Sequence, residues 1–369
     1  MKKDFVHLHL HSQYSLPDGA IKFDELFDEV KKQGMTSVAL TDHGNLFGAY
    51  EFYKNGKKKG IKPILGCEVY IAKDHKNKNP ENNKTHHLTV LCMNMEGYEN
   101  LCSLVSKGHL EGFYRKPRID RKMLFEKSSG LIVLSGCLNS EVCFNILKGK
   151  KDEAIKIASE YKNVLGDRYF IEIQGTLLRE QIRVNGTLRE IAKKLEIPVV
   201  ATNDCHYLTK DCFKSHDTLL CIQTNSLVKE EKRFRFNGNE FYLKSREEMM
   251  GAVDNYEESL ENSLLIAERC NVNFDNTDYR LPKIDNNEDF GNQNIGNLIN
   301  NALEDKLKYN LIDNSSLQVY QKRVQHELNI IESMGFEGYF LVVSDFIRYA
   351  KNSQIPVGPG RGRALSHIY

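Results

Sequence analysis

The stretch FVHLHLH, at residues 5–11, alternates apolar side chains with histidines. Residues two positions apart in a β-strand point to the same face, so His9 and His11 can bind one metal ion or bridge two neighbouring ions. His7 has the same spacing, and the pattern alone does not exclude it. Taken by itself, the stretch also fits an exposed alternating strand with hydrogen-bonded histidines. Its function therefore depends on the side chains that other strands bring beside it.

Short apolar runs alternate with amphipathic stretches from residue 5 to about residue 201. The predicted strands are Phe5–Leu10, Ser37–Leu40, Pro63–Val69, Leu88–Met93, Leu131–Leu134, Tyr169–Ile173 and Val199–Ala201. The predicted helices between them are Lys22–Gln33, Phe47–Lys58, Gly97–Lys107, Glu141–Leu147, Asp152–Leu165 and Leu178–Leu195. This alternation predicts an α/β fold with a largely parallel sheet. The units could close into a barrel, but the pattern does not distinguish a barrel from an open sheet.

Side chains that can bind metals stand at the ends of these runs, where the loops of an α/β fold carry functional groups. They are His9, His11, Asp18, Asp42, His43, Glu68, His86, His87, Cys137, Asp204 and His206. Imidazole, carboxylate and thiolate ligands suit zinc, and also manganese or iron when oxygen ligands share the work. Two divalent ions about 3.5–4 Å apart can hold a phosphate and generate hydroxide. His87 fits this scheme poorly, because it stands at the start of its run; that strand begins earlier or runs differently.

The composition sets limits on the function. Of the 369 residues, 40% are hydrophobic, so the chain can bury a sizeable core. The 51 Lys and Arg residues balance 50 Asp and Glu residues, so a DNA-binding surface would have to be a local patch. No apolar run reaches the roughly 18 residues that span a bilayer, and the start lacks the apolar core of a signal peptide. The nine cysteines form no framework, and together these features predict a cytoplasmic protein with reduced thiols.

The character of the sequence changes after about residue 235. Helical patterns lie at Arg246–Val253, Tyr256–Arg269, Leu298–Leu311 and Leu317–Met334, and an apolar segment lies at Tyr339–Ala350. The polar stretch Asp285–Asn297 is typical of a linker. We therefore expect a first domain over residues 1–284, a linker over residues 285–297 and a mostly helical second part over residues 298–369.

Eight segments, in order, resemble the polymerase-and-histidinol-phosphatase (PHP) domain at the N-terminus of bacterial DNA polymerase III alpha subunits, the replicative C-family polymerases. They are HLHLHSQYSLPDGA, ALTDHGNLFGAYEFY, PILGCEVYIA, HHLTVL, GFYRKPRID, LSGCLNSEV, ATNDCHYL and FYLKSREEM. The resemblance implies a distorted seven-stranded β/α barrel, similar to a TIM barrel. It also implies three divalent metal ions, of zinc, manganese or iron, whose ligands are His9, His11, Asp18, His43, Glu68, His87, Cys137, Asp204 and His206. Asp42 and His86 are expected to orient these ligands without binding the metal ions themselves.

The last part of the chain, ESMGFEGYFLVVSDFIRYAKNSQIPVGPGRG, resembles the opening of the polymerase palm domain of the same family. The family continues with serines that hold the phosphates of the incoming nucleotide, whereas here Gly362 is followed by RALSHIY and the chain stops. The catalytic aspartates of the family lie further on. We interpret this ending as a truncation or a reading-frame break, and we expect that this chain alone does not polymerise DNA.

Three basic clusters could contact a phosphate backbone. They are Lys54, Lys57, Lys58, Lys59 and Lys62; Arg115, Lys116, Arg118, Arg121 and Lys122; and Lys232, Arg233 and Arg235. The lysine run is better explained as a solvated helix face. Phe113 and Tyr114 beside the second cluster suit single-stranded DNA, whose bases stack on aromatic rings. The predicted DNA contacts are Arg115, Lys116, Arg118 and, in the Gly-rich turn, Arg361.

Three functions are compatible with these patterns. The first is metal-dependent hydrolysis at DNA 3′ ends, a proofreading 3′–5′ exonuclease within a DNA-directed DNA polymerase subunit. The second is a metal-stapled scaffold that docks a separate proofreading subunit. The third is a stand-alone small-molecule phosphatase, which the palm-like tail disfavours. The expected partners are a DNA primer end or single strand and, in the intact protein, a sliding clamp, clamp loader or proofreading subunit, but no membrane.

Overall fold

A computed structural model describes residues 4–16, 18–79, 84–274 and 295–358 of the chain. The chain divides into two compact units, Met1–Phe274 and Asp275–Tyr369. Most of the predicted linker, and Arg361 in the Gly-rich turn, lie outside the described residues. Within the described ranges, no helix has both the length and the apolar character that a bilayer crossing requires.

Seven strands form one sheet in the described part of the first unit. They are β1 (Ser37–Leu40), β2 (Lys62–Ala72), β3 (Thr85–Cys92), β4 (Arg118–Asp120), β5 (Leu131–Leu134), β6 (Tyr169–Gln174) and β7 (Val199–Thr202). The strand order is β1-β2-β3-β5-β6-β7, and β4 pairs with β2 beside this path. Strands β1, β5, β6 and β7 are buried along their whole length, as expected for strands covered on both faces. The sequence pattern misses β4, because three residues are too few to show a period.

Strand β3 runs against the direction of its neighbours. It is antiparallel to β2, with His87 opposite Tyr70, and antiparallel to β5, with Thr89 opposite Leu134. The pairings of β1 with β2, β2 with β4, β5 with β6 and β6 with β7 are parallel. The first residues of β3 therefore lie beside the last residues of its neighbours. This reversal explains why His87, at the start of its strand, shares an edge with side chains that end other strands.

The N-terminal stretch is extended and closes the sheet, although it is not a regular strand. On one side, the amide of Thr41 donates to the carbonyl of Leu10 at 2.9 Å. On the other side, the amide of His11 donates to the carbonyl of Cys205 at 2.8 Å, and the amide of Cys205 donates to the carbonyl of His9 at 3.1 Å. The stretch thus joins the end of β1 to the chain after β7. The curled sheet becomes a distorted barrel of the kind that the resemblance implies.

Ten α-helices surround the barrel in the described part of the first unit. They are α1 (Phe23–Lys32), α2 (Ala49–Lys59), α3 (Met95–Leu110), α4 (Arg121–Glu126), α5 (Glu141–Leu147), α6 (Lys151–Leu165), α7 (Arg179–Leu195), α8 (Phe213–Thr224), α9 (Arg246–Ala252) and α10 (Glu257–Arg269). Helix α1 illustrates their origin, because Phe23, Leu26, Phe27 and Val30 recur at helical spacing and all are buried. The sequence pattern does not predict α4, which has six residues, or α8, whose sequence FKSHDTLLCIQT shows no clear apolar stripe.

The second unit contains three α-helices in its described part. They are α11 (Ile295–Lys308), α12 (Leu317–Ser333) and α13 (Glu337–Asn352). These helices coincide with the two helical patterns and the apolar segment found in the sequence. Helix α11 contacts α13 within this unit.

Arg118 has a structural role, and the prediction that it contacts DNA is wrong. Its side chain is fully buried. Its Nε donates to the carbonyl of Gly112 at 2.9 Å, and its Nη2 donates to the carbonyls of His75 at 3.1 Å and Asn77 at 3.0 Å. These bonds tie the loop after β2 to the end of α3. A guanidinium enclosed in this way cannot reach a DNA backbone.

Replacing Arg118 with alanine should lower the free energy of unfolding by about 2–4 kcal/mol, because buried carbonyls lose charged donors. Urea denaturation followed by circular dichroism measures the change. The control is Lys122→Ala at an exposed position of the same basic cluster, which should change the free energy of unfolding by less than about 0.5 kcal/mol. Equal stability of the two variants would contradict the structural role of Arg118.

Candidate metal centre

Glu68 lies among four imidazoles at one edge of the barrel, and its side chain is almost fully buried. Its Oε1 is 2.9 Å from Nδ1 of His87 and 3.5 Å from Nε2 of His9. Its Oε2 is 2.5 Å from Nδ1 of His43 and 4.0 Å from Nε2 of His11. Strand β2 continues past the end of β1, and this extension carries Glu68 to its bridge with His43. A carboxylate with imidazoles near both oxygens can bridge two metal ions.

Asp204 is a second carboxylate that faces several imidazoles. Its Oδ1 is 3.2 Å from Nε2 of His11, 3.4 Å from Nε2 of His9 and 3.6 Å from Nδ1 of His206. The backbone of Asp204 has a φ of 52°, which is uncommon for a residue other than glycine. Strained conformations of this kind cluster at functional sites. In this turn after β7, the carboxylate of Asp204 lies beside the three imidazoles.

Asp18 reaches the cluster from the turn that follows the N-terminal stretch. Its Oδ1 is 3.1 Å from Nε2 of His43, and its Oδ2 is 3.8 Å from Nε2 of His206. The turn is held from α8, where Nε2 of His216 lies 2.8 Å from the backbone carbonyl of Asp18. Because the sequence pattern does not predict α8, it also misses this contribution of His216.

Cys137 lies just after β5. Its Sγ is 3.7 Å from Oε1 of Glu68 and 3.7 Å from Nδ1 of His87. The preceding Gly136 has a φ of +83°, and a Cβ at that position would lie 2.6 Å from the carbonyl oxygen of His87, so this turn requires glycine. Burial, followed by the carboxylates of Glu68 and Asp204, raises the pKa of the Cys137 thiol well above its usual value. A divalent cation would be needed to make this thiol a thiolate ligand.

Several buried atoms of the cluster make no hydrogen bond of suitable geometry among the described residues, although some of them lie close to an oppositely charged group. They are Nε2 of His9, His11 and His206, Nδ1 of His43, Oδ1 of Asp18 and Oε2 of Glu68. Three triplets place their ligand atoms within 4.8 Å of one another: His11, His43 and His206; His9, His11 and Asp204; and His43, Glu68 and His87. Buried polar atoms in proteins nearly always have partners. The atoms and their spacing therefore fit divalent metal ions that accept nitrogen, oxygen and sulfur ligands.

Carboxylates and imidazoles in the cluster shift each other's pKa values. Burial would raise the pKa of Glu68, but His87 and His43 hold it well below its usual value. Burial would lower the pKa of His43, but Glu68 and Asp18 together raise it to about 10. Without other cations, a proton on His43 balances part of the negative charge. Metal ions would take over this balance, because a bound imidazole must be neutral.

Asp42 contacts the cluster indirectly, through Ser15. Its Oδ1 accepts hydrogen bonds from the hydroxyl of Ser15 and from the amide of Ser12, both at 2.7 Å. The Oγ of Ser15 in turn lies 3.0 Å from Nδ1 of His11. Because the hydroxyl of Ser15 donates its hydrogen bond to Asp42, its oxygen accepts a hydrogen bond from the Nδ1–H group of His11. The Nε2 lone pair of His11 is then directed into the cluster.

Two other histidines point elsewhere. His86 precedes His87 in β3, so its ring lies on the other face of the strand, where its Nδ1 is 3.0 Å from the carbonyl oxygen of Asn139. It contacts a loop rather than a ligand side chain, which corrects the expectation that it orients ligands. His7 is fully buried with Nε2 2.8 Å from the carbonyl oxygen of Lys244, and burial lowers its pKa to about 4. It is a neutral structural histidine.

Glu172 is a site residue that the sequence analysis does not single out. It is fully buried in β6, and its Oε1 lies 2.6 Å from Nδ1 of His9. The available signal is a single carboxylate within the apolar strand YFIEIQ. Carboxylates are almost never fully buried without a partner, so this residue could have been included as a candidate.

The cluster opens into a cavity of about 610 Å³. Seven candidate ligands line it: Asp18, His43, Glu68, His87, Cys137, Asp204 and His206. Arg115 and Lys116 line the same cavity, and Nζ of Lys116 lies 4.3 Å from the centroid of the Tyr70 ring. The exposed rings of Phe47 and Phe234 also belong to its wall. Two of the predicted DNA contacts thus lie beside the metal-ligand cluster.

Members of the other two basic clusters pair with nearby groups. Arg233 donates two hydrogen bonds to Asp217, at 2.7 and 2.6 Å. Lys59 pairs with Asp28 at 2.6 Å. The pair of Lys59 with Asp28 is compatible with the interpretation of the lysine run as a helix face that does not contact DNA.

Comparison with protein families matches two parts of the chain. The PHP domain family matches residues 7–176. The family described as the bacterial DNA polymerase III alpha NTPase domain matches residues 293–368. The two matches fall in the first and second structural units, respectively.

Solved structures are similar to the chain at low sequence identity. An amidohydrolase from Chromobacterium violaceum with bound sulfate has a TM-score of 0.34 and 15% identity, over 55% of this chain and 87% of that protein. A histidinol phosphate phosphatase from Lactococcus lactis, complexed with zinc, L-histidinol and phosphate, has a TM-score of 0.28 and 12% identity, over 55% of this chain and 86% of that protein.

Curated relatives match along the whole chain. The DNA polymerase III subunit alpha of Treponema pallidum is 41% identical over 373 residues, covering 100% of this chain and 31% of the relative. The subunits of Borreliella burgdorferi and Thermus aquaticus are 39% and 37% identical, over 99% and 100% of this chain and 32% and 35% of the relatives. The chain thus spans about a third of the length of these relatives. It belongs to the family of bacterial DNA polymerase III alpha subunits and corresponds to their N-terminal part, with a PHP domain first.

Proposed function

We propose that the PHP domain of this chain is a metal-dependent phosphoesterase that removes nucleotides from DNA 3′ ends, as a proofreading 3′–5′ exonuclease. The supporting observation is that the ligand cluster opens into a cavity of about 610 Å³. Structural metal sites tend to be closed, whereas catalytic sites keep one position open for water or substrate. The cavity therefore favours hydrolysis over a scaffold whose metals only staple the fold.

The side chains of the cluster suit this reaction. When bound, divalent ions supply a Lewis acid for the phosphate and an activated water. Glu68 and Asp204, each close to several imidazoles, would hold neighbouring ions together. Arg115 and Lys116 would bind backbone phosphates beside the cluster. The exposed ring of Phe47 would offer a surface on which a base can stack.

The activity of the whole protein is part of this proposal. In its full length it would be a DNA-directed DNA polymerase, a nucleotidyltransferase of DNA replication in the bacterial cytoplasm. Residues 1–284 would form the PHP domain, and residues 298–369 would begin the palm domain. DNA and other replicase subunits, such as a sliding clamp, a clamp loader or a proofreading subunit, would be its partners.

Replacing His9 with alanine should reduce metal-dependent release of nucleotides from a primer 3′ end at least about a hundredfold. Mutating a residue that only orients a metal ligand already lowers metal affinity or activity about 10–100-fold, so losing a ligand itself should cost at least as much. The assay uses the full chain loaded with Mn²⁺ or Zn²⁺ and an end-labelled oligonucleotide. Elemental analysis of the same samples should show reduced metal content in the variant.

His86→Ala is the matched control for this experiment. It removes an imidazole that is next to His87 in the sequence but lies on the face of β3 away from the metal-ligand cluster. It should keep the metal content and the rate of the parent. The proposed function would be wrong if the metal-loaded parent left DNA intact. It would also be wrong if His9→Ala degraded DNA at the parent's rate.

The double variant Arg115→Ala and Lys116→Ala should raise the KM for single-stranded DNA severalfold and leave kcat nearly unchanged. Two lost phosphate contacts should also reduce the slope of log KM against log salt by about 1.4. Initial rates at several salt concentrations measure both effects. Lys122→Ala, at an exposed position of the same basic cluster, should keep the parent's KM and slope. An unchanged slope in the double variant would show that DNA binds elsewhere.

A further inference from the structure

We propose that Glu172 is a positioning residue that keeps the proton of His9 on Nδ1 and thereby presents the Nε2 lone pair of His9 to a metal ion. The proposal rests on the metal-binding part of the proposed function and not on the identity of the substrate. Glu172 is fully buried in β6, and its Oε1 lies 2.6 Å from Nδ1 of His9. The two residues are 163 positions apart in the sequence.

The carboxylate of Glu172 is surrounded by hydrogen-bond donors. Its Oε1 accepts from the hydroxyl of Thr202 at 2.6 Å and from the side-chain amide of Gln174 at 3.2 Å. Its Oε2 accepts from the hydroxyl of Thr89 and from the backbone amide of Gly136, both at 3.1 Å. An ionised carboxylate has only lone pairs to offer, about four in all, so Glu172 acts as an acceptor toward each of these groups.

The consequence for His9 follows from this acceptor-only partner. Thr89 Oγ1 and Gln174 Nε2 also lie 3.1 and 3.5 Å from Nδ1 of His9, but both groups donate to the carboxylate of Glu172. The proton of a neutral His9 imidazole therefore lies on Nδ1 and the lone pair on Nε2. That nitrogen is 3.5 Å from Oε1 of Glu68 and 3.4 Å from Oδ1 of Asp204. It is buried and has no hydrogen-bond partner in the part of the chain that the structure describes. A nitrogen lone pair beside two carboxylate oxygens is an arrangement that accepts a divalent cation.

Such a contact is a recurring feature of metal-binding histidines. They usually donate their second N–H to a carboxylate or a carbonyl, which fixes the ring orientation and strengthens the ligand. Glu172 also holds neighbouring parts of the centre, because Gly136 precedes Cys137 and Thr202 lies two positions before Asp204. A test must therefore separate an effect on His9 from a general effect on the fold.

The variant Glu172→Gln makes this separation. It keeps the size of the side chain but replaces one acceptor oxygen with an NH₂ donor. With its oxygen toward the amide of Gly136, its NH₂ group faces His9 and moves the imidazole proton to Nε2. We expect the affinity of one Mn²⁺ site, measured by titration calorimetry on the metal-free full chain, to fall about 10–100-fold. The absorption spectrum of the Co²⁺-loaded protein should change as well, because one imidazole ligand is lost.

Glu141→Gln is the matched control. This partly buried carboxylate on α5 accepts a hydrogen bond from the hydroxyl of Tyr161 at 3.1 Å and faces Arg121 rather than a ligand imidazole. The Mn²⁺ affinity and the Co²⁺ spectrum of the Glu141→Gln variant should equal those of the parent protein. The unfolding midpoints of the metal-free variants show whether either change affects the fold.

A folded Glu172→Gln protein with the parent's Mn²⁺ affinity and Co²⁺ spectrum would overturn the proposal. If this variant does not fold, Thr202→Val decides, because it keeps Glu172 and removes a donor that fixes Oε1. Its Mn²⁺ affinity should fall by a smaller factor, and an affinity equal to the parent's would overturn the proposal. Neither measurement requires DNA. A parent that binds metal but does not cleave DNA would therefore reject the proposed function and leave this inference standing.

Discussion

The structure depends on a concentration of buried carboxylates and imidazoles at one edge of the barrel. Glu68 and Asp204 each face several histidines, and within the described residues several of these buried atoms have no hydrogen-bond partner. Buried carboxylates are costly unless positive charge lies between them. Protons on the imidazoles or bound metal ions can supply that charge. Surrounding contacts, such as those of Ser15 with His11 and Glu172 with His9, are needed to aim the ligand atoms inward.

The closure of the barrel serves the same centre. The N-terminal stretch carries His9 and His11, and its hydrogen bonds to the chain on both sides hold these residues beside Asp204. The reversal of β3 has a comparable effect, because it brings the start of that strand, with His87, to the edge where the other strands end. A regular parallel barrel with the same sequence order would place His87 at the opposite edge.

Chemically similar residues that are close in the sequence take different roles according to their surroundings. Lys116 lines the cavity, whereas Arg118, two positions further on, is enclosed and bonds backbone carbonyls. His9 and His11 face the cluster, whereas His7 bonds the carbonyl of Lys244. In each case the spacing in the sequence would allow both residues the same role. The groups that surround each side chain in the fold decide which role it has.

Local features of the sequence are enough to predict the α/β fold, most strands and helices, and the candidate metal ligands. Hydrophobic periodicity and ligand residues at the ends of apolar runs can be recognised within a few positions. The direction of β3 and the roles of Arg118, His216 and Glu172 depend on contacts between distant segments, which only the tertiary structure shows. Glu172, for example, lies 163 positions from His9. Periodicity carries no information about strand direction or about the partners that folding brings to a buried polar group.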